Sequence, residues 1–209
     1  MVLNDIAELD WYQFNVNIVD EEKPMAFRQE YIETLKLLGK AFHTLEKQGY
    51  PRPVIVGGAA VEYYTGGEIV SGDFDIIYQH LDAFKEAVES QGFTTEDRFG
   101  HLLHGFYHKE LLTGIELVSG SLFDGKTDST RMEIVAVDRA EDAVVSFPPI
   151  EDLIADRMGQ YEADTGRPEM LEQARILYQL AENIDLEYLE KRLKEELVDY
   201  SLAKSLTDE

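Results

Sequence analysis

Cysteine is absent from this sequence, so disulfide frameworks, thiolate zinc sites, iron–sulfur clusters and cysteine nucleophiles are all excluded. Basic residues are few: 19 Lys and Arg stand against 42 Asp and Glu, which gives a formal net charge of −23 at pH 7. Because this charge repels phosphate backbones and anionic lipid at long range, broad nucleic-acid binding is not expected. A small polyanion is still compatible with it, since divalent cations held by a few carboxylates reverse the local field.

Long apolar runs are missing as well. Nowhere do 18 apolar residues follow one another, so no membrane span is expected. The first 23 residues carry early acids and no basic segment ahead of an apolar one, which is unlike a secretory signal. Together with the lack of cysteine, this favours a reducing compartment, and we expect a cytoplasmic protein.

The hydrophobic pattern changes its period along the chain. Apolar residues from Phe27 to Leu45 recur every three or four positions, which predicts a long helix ending near Gly49. Short apolar runs rich in β-branched and aromatic residues predict strands further along, and periodic segments between them predict helices. The predicted strands are 54–56, 73–78, 103–108, 115–118, 132–137 and 143–147, and the predicted helices that follow the first one are 59–64 and 81–91.

After Pro148-Pro149 the pattern becomes helical. Three helices are predicted in 150–161, 171–180 and 186–197, and the last nine residues are expected to fray. We therefore expect an α+β fold with an α/β core over 1–147 and a C-terminal helical region over 148–209.

Asp73 and Asp75 are separated by one apolar residue on a predicted strand. Alternate residues of a strand point to the same face, about 6.6 Å apart, so both carboxylates can approach one cation while Phe74 and Ile76 face the core. A fifth of the chain is acidic, so about eight acid-x-acid triplets are expected by chance. Two neighbouring charges on an apolar strand are unusual, however, and Mg²⁺ binds one or two carboxylates while substrate phosphates complete its shell. The pattern therefore indicates a magnesium site.

Gly57 and Gly58 end the first predicted strand, and a short predicted helix follows them. Glycine lets backbone amides approach a phosphate with no Cβ in the way, and a helix N-terminus adds positive potential. The pair lacks the Gly-Lys-Ser or Gly-Lys-Thr of a P-loop and the third glycine of a dinucleotide fingerprint. It predicts a phosphate-binding turn of another kind.

These two features together resemble a known family. Gly57-Gly58 and the run Ser71-Gly72-Asp73-Phe74-Asp75-Ile76 are similar to the glycine pair and the acid-x-acid signature of the polymerase-β-like nucleotidyltransferase superfamily. The resemblance covers about residues 27–160 and implies a mixed sheet packed with helices. It implies that Gly57 and Gly58 hold a triphosphate, with the Ser71 hydroxyl hydrogen-bonding nearby. It also implies a third acid on a neighbouring strand, for which Glu116 is the best match and Glu133 the alternative.

The C-terminal part adds a narrower resemblance. The segment 148–157, followed by Arg167-Pro168, is similar to the helical half of nucleotidyltransferase-like abortive-infection toxins and their uncharacterised relatives, which implies that Arg157 and Arg167 pair with phosphates. Those toxins usually carry a lysine where Arg157 stands, and a Lys-Asp pair where Glu169-Met170 stands here. A methionine neither accepts a proton nor holds a metal as that aspartate would, so the departure bears on the toxin activity and not on the fold.

The residues and the resemblance lead to one functional expectation with one alternative. The expectation is an enzyme that depends on Mg²⁺ or Mn²⁺ and transfers a nucleoside monophosphate from a nucleoside triphosphate such as ATP to an unknown acceptor hydroxyl, as a toxin–antitoxin type component. Asp73, Asp75 and Glu116 would be its metal-binding and catalytic residues. The alternative is a nucleotide-binding or regulatory module of the same fold with little or no turnover. The apolar helical region would suit a homodimer or an antitoxin-like protein partner.

Overall fold

The computed structural model describes residues 27–96, 104–119, 121–138, 142–204 and 206. The amino-terminal segment that was compared with secretory signals lies outside these residues. The helices of the described part are α1 Gln29–Lys47, α2 Gly57–Tyr64, α3 Leu81–Glu89, α4 Ile150–Ala163, α5 Pro168–Leu180, α6 Leu186–Glu195 and α7 Tyr200–Lys204. Its strands are β1 Val54–Val56, β2 Asp73–Ile77, β3 Thr94–Glu96, β4 His104–His108, β5 Thr113–Ser119, β6 Glu133–Asp138 and β7 Ala143–Phe147.

Five of the strands form a mixed sheet in the order β1-β2-β5-β4-β3. β2 and β5 are parallel neighbours, and the other three pairs in this sheet are antiparallel. β6 and β7 form a separate antiparallel pair. The α+β class with a mixed sheet is therefore confirmed.

The two faces of β2 have different roles. Phe74 and Ile76 are buried in the hydrophobic core, and the Phe74 ring stacks on Tyr31 of α1 with 5.3 Å between the ring centroids. Successive side chains of a strand point to opposite faces, so Asp73 and Asp75 lie on the face turned away from α1. This face of the sheet is the one left for a site.

The helices after β7 share the core of the sheet. One continuous cluster of buried apolar side chains runs from Phe27 in front of α1 to Leu206 behind α7. Inside the helical part, the guanidinium of Arg192 in α6 and the carboxylate of Asp152 in α4 are both fully buried, and their Nε and Oδ1 atoms are 2.6 Å apart. The change from strands to helices occurs at Phe147. The division of the chain into two regions at this point stays a prediction.

Two short elements were not predicted. β3 has only three residues and pairs with β4. The expectation of a frayed C-terminus was wrong for α7, because Leu206, just beyond it, is buried in the core. Among the helices of the described segments, none combines the length and the apolar character needed to cross a bilayer.

Candidate active site

The register between β2 and β5 brings two predicted site residues side by side. Asp75 pairs with Glu116 across the parallel ladder, and Asp73 pairs with Gly114. Paired residues of neighbouring strands present their side chains on the same face, so Asp73, Asp75 and Glu116 share one side of the sheet. Asp75 and Glu116 are half-buried and Asp73 is exposed.

Glu133, the alternative third acid, lies elsewhere. It belongs to β6 of the two-stranded sheet, and its Oε1 atom accepts a hydrogen bond from the Tyr63 hydroxyl at 3.4 Å. It lines a different cavity from Asp75, together with Tyr64 and Glu151. The topology of the sheet therefore favours Glu116 as the neighbour of the acid pair.

The glycine pair lies directly against the acids. Gly57 has a φ of +63°, and a Cβ built on it would lie 1.9 Å from Oδ2 of Asp75. A Cβ on Gly58 would lie 2.5 Å from Oγ of Ser71. The backbone N–H of Gly58 also donates to the Asp75 carboxylate. Any larger residue at either glycine would displace Asp75 or Ser71, so the turn and the acids form one unit.

Two residues that the sequence analysis missed fix the segment in front of β2. The fully buried carboxylate of Glu62 in α2 accepts hydrogen bonds from Arg28 Nε at 3.1 Å and from the Ser71 backbone N–H at 2.7 Å. Arg28 also donates to the Ser71 carbonyl at 2.7 Å. The Ser71 hydroxyl donates to the Asp73 carbonyl at 2.8 Å. The signal in the sequence is a lone acid in the otherwise uncharged helix α2, since a buried acid requires a partner.

A cavity of about 430 Å³ opens beside Asp75. It lies between the sheet and the C-terminal helices, and both predicted phosphate-binding arginines line it. Arg157, on α4, is buried, whereas Arg167, just before α5, is about half exposed. Two of the predicted site residues, Gly57 and Asp75, also line the cavity. The remaining ones lie next to these two but outside the lining: Gly58, Ser71, Asp73 and Glu116. The full lining is Val56, Gly57, Asp75, Ile77, Val118, Ser121, Phe123, Asp124, Asp156, Arg157, Gln160, Arg167 and Glu196.

Burial sets the charge balance at the cavity. Burial, with a smaller contribution from the nearby carboxylates of Asp73 and Glu116, raises the pKa of Asp75 to about 6, although Arg157 acts in the opposite direction. Burial also lowers the pKa of Arg157, although Asp156 and Asp75 oppose this effect. Asp75 therefore carries a charge that its surroundings compensate only in part.

The Arg157 side chain is only partly matched by hydrogen-bond acceptors. Its NH1 atom lies 3.3 Å from Oε1 of Gln160, 3.5 Å from Sδ of Met170 and 3.9 Å from Oδ2 of Asp156. Its Nε atom is buried without a hydrogen-bond partner in the described structure. Arg157 thus retains donor capacity next to the cavity.

The acidic side chains fit a hard divalent cation. Within the described ranges, no three His, Asp or Glu side chains form a group already closed enough to hold a metal ion. Mg²⁺ needs only one or two carboxylates, because waters and substrate phosphates supply its other ligands. The pair Asp75 and Glu116, with Asp73 on the same face, offers such oxygens. A cation there would also offset both the burial of the Asp75 carboxylate and its repulsion by Asp73 and Glu116, which together raise its pKa.

Comparison with solved structures identifies the class of fold. An antigenic nucleotidyltransferase-like protein from Paracoccidioides brasiliensis matches with a TM-score of 0.56 and 14% identity, over 85% of this chain and 92% of that one. The antibiotic-resistance factor ANT(2'')-Ia in solution matches with a TM-score of 0.50 and 14% identity, over 83% and 96% of the two chains. Its crystal structure with adenylyl-2''-tobramycin matches with a TM-score of 0.50 and 14% identity, over 79% and 97%.

The chain therefore has the nucleotidyltransferase-like fold, as the sequence resemblance implied. No family model and no curated protein sequence matches it. The narrower resemblance to abortive-infection toxins stays a prediction.

Proposed function

We propose that this protein is a nucleotidyltransferase that depends on Mg²⁺ or Mn²⁺ and transfers a nucleoside monophosphate from a nucleoside triphosphate to an acceptor hydroxyl. The observation that carries the proposal is the register of Asp75 opposite Glu116, beside the Gly57 turn and a cavity that also contains Arg157 and Arg167. A triphosphate with bound metal needs carboxylates for the metal ion and cationic side chains for its phosphate oxygens. The acids of β2 and β5 and the two arginines supply these groups around one cavity.

Each residue has a role in this scheme. Backbone amides of Gly57 and Gly58 would bind the β- and γ-phosphates, for which the Gly58 N–H would exchange its Asp75 acceptor for a phosphate oxygen, and the Ser71 hydroxyl would hydrogen-bond nearby. Arg157 and Arg167 would pair with phosphate oxygens from the side of the helices. Asp73, Asp75 and Glu116 would bind the metal ion. When bound, the metal would neutralise charge on the phosphates and align the in-line displacement.

The chemistry of transfer needs one proton acceptor. Glu116 would take the proton of the acceptor hydroxyl, whose oxygen attacks the α-phosphorus of the triphosphate. The bond between the α-phosphorus and the bridging oxygen breaks, and pyrophosphate leaves with that oxygen. ANT(2'')-Ia was solved with an adenylylated tobramycin, which is a small molecule. We propose a small-molecule acceptor here too, because the charge of −23 disfavours a nucleic-acid end.

The test is metal-dependent pyrophosphate release from each nucleoside triphosphate, with a panel of hydroxyl compounds as acceptors. Asp73→Asn, Asp75→Asn and Glu116→Gln should each lower kcat by at least about a hundredfold, as expected when a ligand of catalytic metals or a general base is lost. Asp82→Asn, an exposed acid in the first turn of α3, is the matched control and should keep full activity. Full turnover in any of the three site variants would contradict the assignment of that residue.

A binding module without turnover is the second candidate, and Met170 favours it. This buried residue stands where the resembled toxins carry an aspartate, and its Sδ atom contacts Arg157 at 3.5 Å. Such a module would gain thermal stability with nucleotide and Mg²⁺ but release no pyrophosphate with any acceptor. A toxin–antitoxin role, a homodimer and an antitoxin-like partner remain predictions, which co-purification and sedimentation of the full chain would test.

A further inference from the structure

The cavity beside Asp75 has an apolar end. Ile77 lies two residues beyond Asp75 on the same face of β2, and Val118 is the residue of β5 that the ladder skips between the partners of Ile76 and Ile77; both line the cavity. A strand rises about 3.3 Å per residue, so this surface begins about 7 Å from the carboxylates. It carries no charge for a phosphate and suits an uncharged, apolar part of a ligand.

An unusual turn places an aromatic residue on the lining of the same cavity. Phe123 lines the cavity, is half-buried and has φ +43° and ψ +50°. Asp124, next to it, has φ +56° and ψ +28°. Aspartate tolerates this left-handed conformation, but a bulky side chain such as phenylalanine rarely adopts it. Backbone strain of this kind is concentrated at ligand sites, where it holds a side chain in a required position.

The turn is anchored to the C-terminal helices. The Lys126 backbone N–H donates to the Phe123 carbonyl at 3.0 Å, and Lys126 Nζ lies 3.2 Å from Oε1 of Glu196. Glu196 in turn pairs with the fully buried guanidinium of Arg192 at 3.0 Å. These contacts connect the turn that carries Phe123 to the C-terminal end of α6.

We propose that Phe123, with the apolar surface of Ile77 and Val118, forms the nucleobase subsite. This inference rests on the proposed function, because it extends the nucleotide from a triphosphate near Gly57 to a base at the apolar end. An aromatic ring stacks on the face of any base, so the subsite favours nucleotides over bare polyphosphate and discriminates weakly among the four bases.

The experiment compares ligands with and without a base. Calorimetric titration in Mg²⁺ would measure the dissociation constants of the non-hydrolysable α,β-methylene analogues of ATP, GTP, CTP and UTP, and of inorganic tripolyphosphate. Wild-type protein should bind the analogues more tightly than tripolyphosphate. Phe123→Ala should weaken binding of the analogues about tenfold, the size of one lost stacking contact, and leave tripolyphosphate binding unchanged. Phe123→Trp should restore analogue binding.

Leu122→Ala is the matched control, because Leu122 lies in the same turn but does not line the cavity. It should change neither affinity. If Phe123→Ala left analogue binding intact, or weakened analogue and tripolyphosphate binding equally, the nucleobase subsite would be refuted while the proposed function stood. If wild-type protein bound neither probe, the proposed function itself would fail, and this inference with it.

Discussion

At Asp75, burial acts against the charge that the proposed chemistry requires. The pKa of this carboxyl is raised from 3.8 to about 6, first by burial and then by Asp73 and Glu116. A group whose pKa is higher in the folded than in the unfolded state loses stabilisation as the pH rises between the two values. Ionised Asp75 therefore destabilises the folded protein above pH 6, which is the expected signature of a residue selected for binding rather than stability.

Asp75→Asn should accordingly stabilise the protein without metal. We expect a gain in the free energy of unfolding of about 2 kcal/mol at pH 7, reduced from the full shift because the side chain is partly solvated, and almost none at pH 4. Urea unfolding in EDTA at the two pH values would measure it. Asp82→Asn should show no gain at either pH, and equal stability of wild type and Asp75→Asn at pH 7 would contradict the account of burial given for this carboxyl.

Some of the site residues could be predicted from the sequence and others could not. Spacing alone placed Asp73 and Asp75 on one face, and the structure puts both glycines against that unit. Spacing could not choose between Glu116 and Glu133, because the choice depends on which strand pairs with β2. A neighbour in space that is 41 positions away along the chain leaves no local pattern.

At the scale of elements, α2 does more than follow the glycine turn. Its Glu62 carboxylate, fully buried, holds Arg28 in front of α1 and the Ser71 backbone in front of β2. Three separate segments of the chain thus meet on one side chain. Because Ser71 precedes the acid pair by two residues, we infer that Glu62 positions the segment that carries the proposed metal ligands.

Glu62→Gln keeps the shape of the side chain and removes its charge, so the hydrogen bonds from Arg28 and Ser71 should weaken. We expect a loss of about 1.5–3 kcal/mol in the free energy of unfolding, typical of a hydrogen bond to a charged group. Amide hydrogen exchange at Ser71 should also become faster.

The matched control is Glu46→Gln, which breaks a more exposed pair with Arg52 at 2.7 Å. This variant should change stability by less than about 0.5 kcal/mol. Unchanged exchange at Ser71 in Glu62→Gln would show that the carboxylate does not hold this segment.

The elements that the sequence predicted well are the long or strongly patterned ones. Helix α1 buries a stripe of residues at helical spacing, and α6 begins where expected, with the Asp185 side chain accepting from the Tyr188 N–H at 3.0 Å. β1 has three residues and was predicted because all three are apolar and β-branched, whereas β3, of equal length, has the polar sequence TTE, and the five residues of α7 are too few to show a helical period. Such short elements form through tertiary pairing and packing, which no local propensity encodes.

For the whole molecule, two properties have different origins. The parallel pairing of β2 with β5 depends on how the chain returns after α3, β3 and β4, so only the structure, or the family resemblance, could reveal it.

The net charge of −23 can be counted from the sequence alone, and it acts on every conformation of the chain. Like charges close together in the folded state repel each other more than in the extended chain, so the net charge lowers stability.

Salt should therefore stabilise this protein. Raising NaCl from about 0.01 M to about 0.15 M shortens the Debye length from about 30 Å to about 8 Å. We expect a gain of about 1 kcal/mol at pH 7, seen as a rise in Tm of about 2–4 °C for a chain of this length. The same titration near pH 4.4, the isoelectric point, is the internal control, because the net charge vanishes there and the effect should shrink. Calorimetry in EDTA separates this screening from specific binding of divalent ions. If the Tm at pH 7 stayed constant or fell as NaCl was added, repulsion among the acids would not lower the stability of the folded protein. The acids would then already be paired with cations or spaced widely enough.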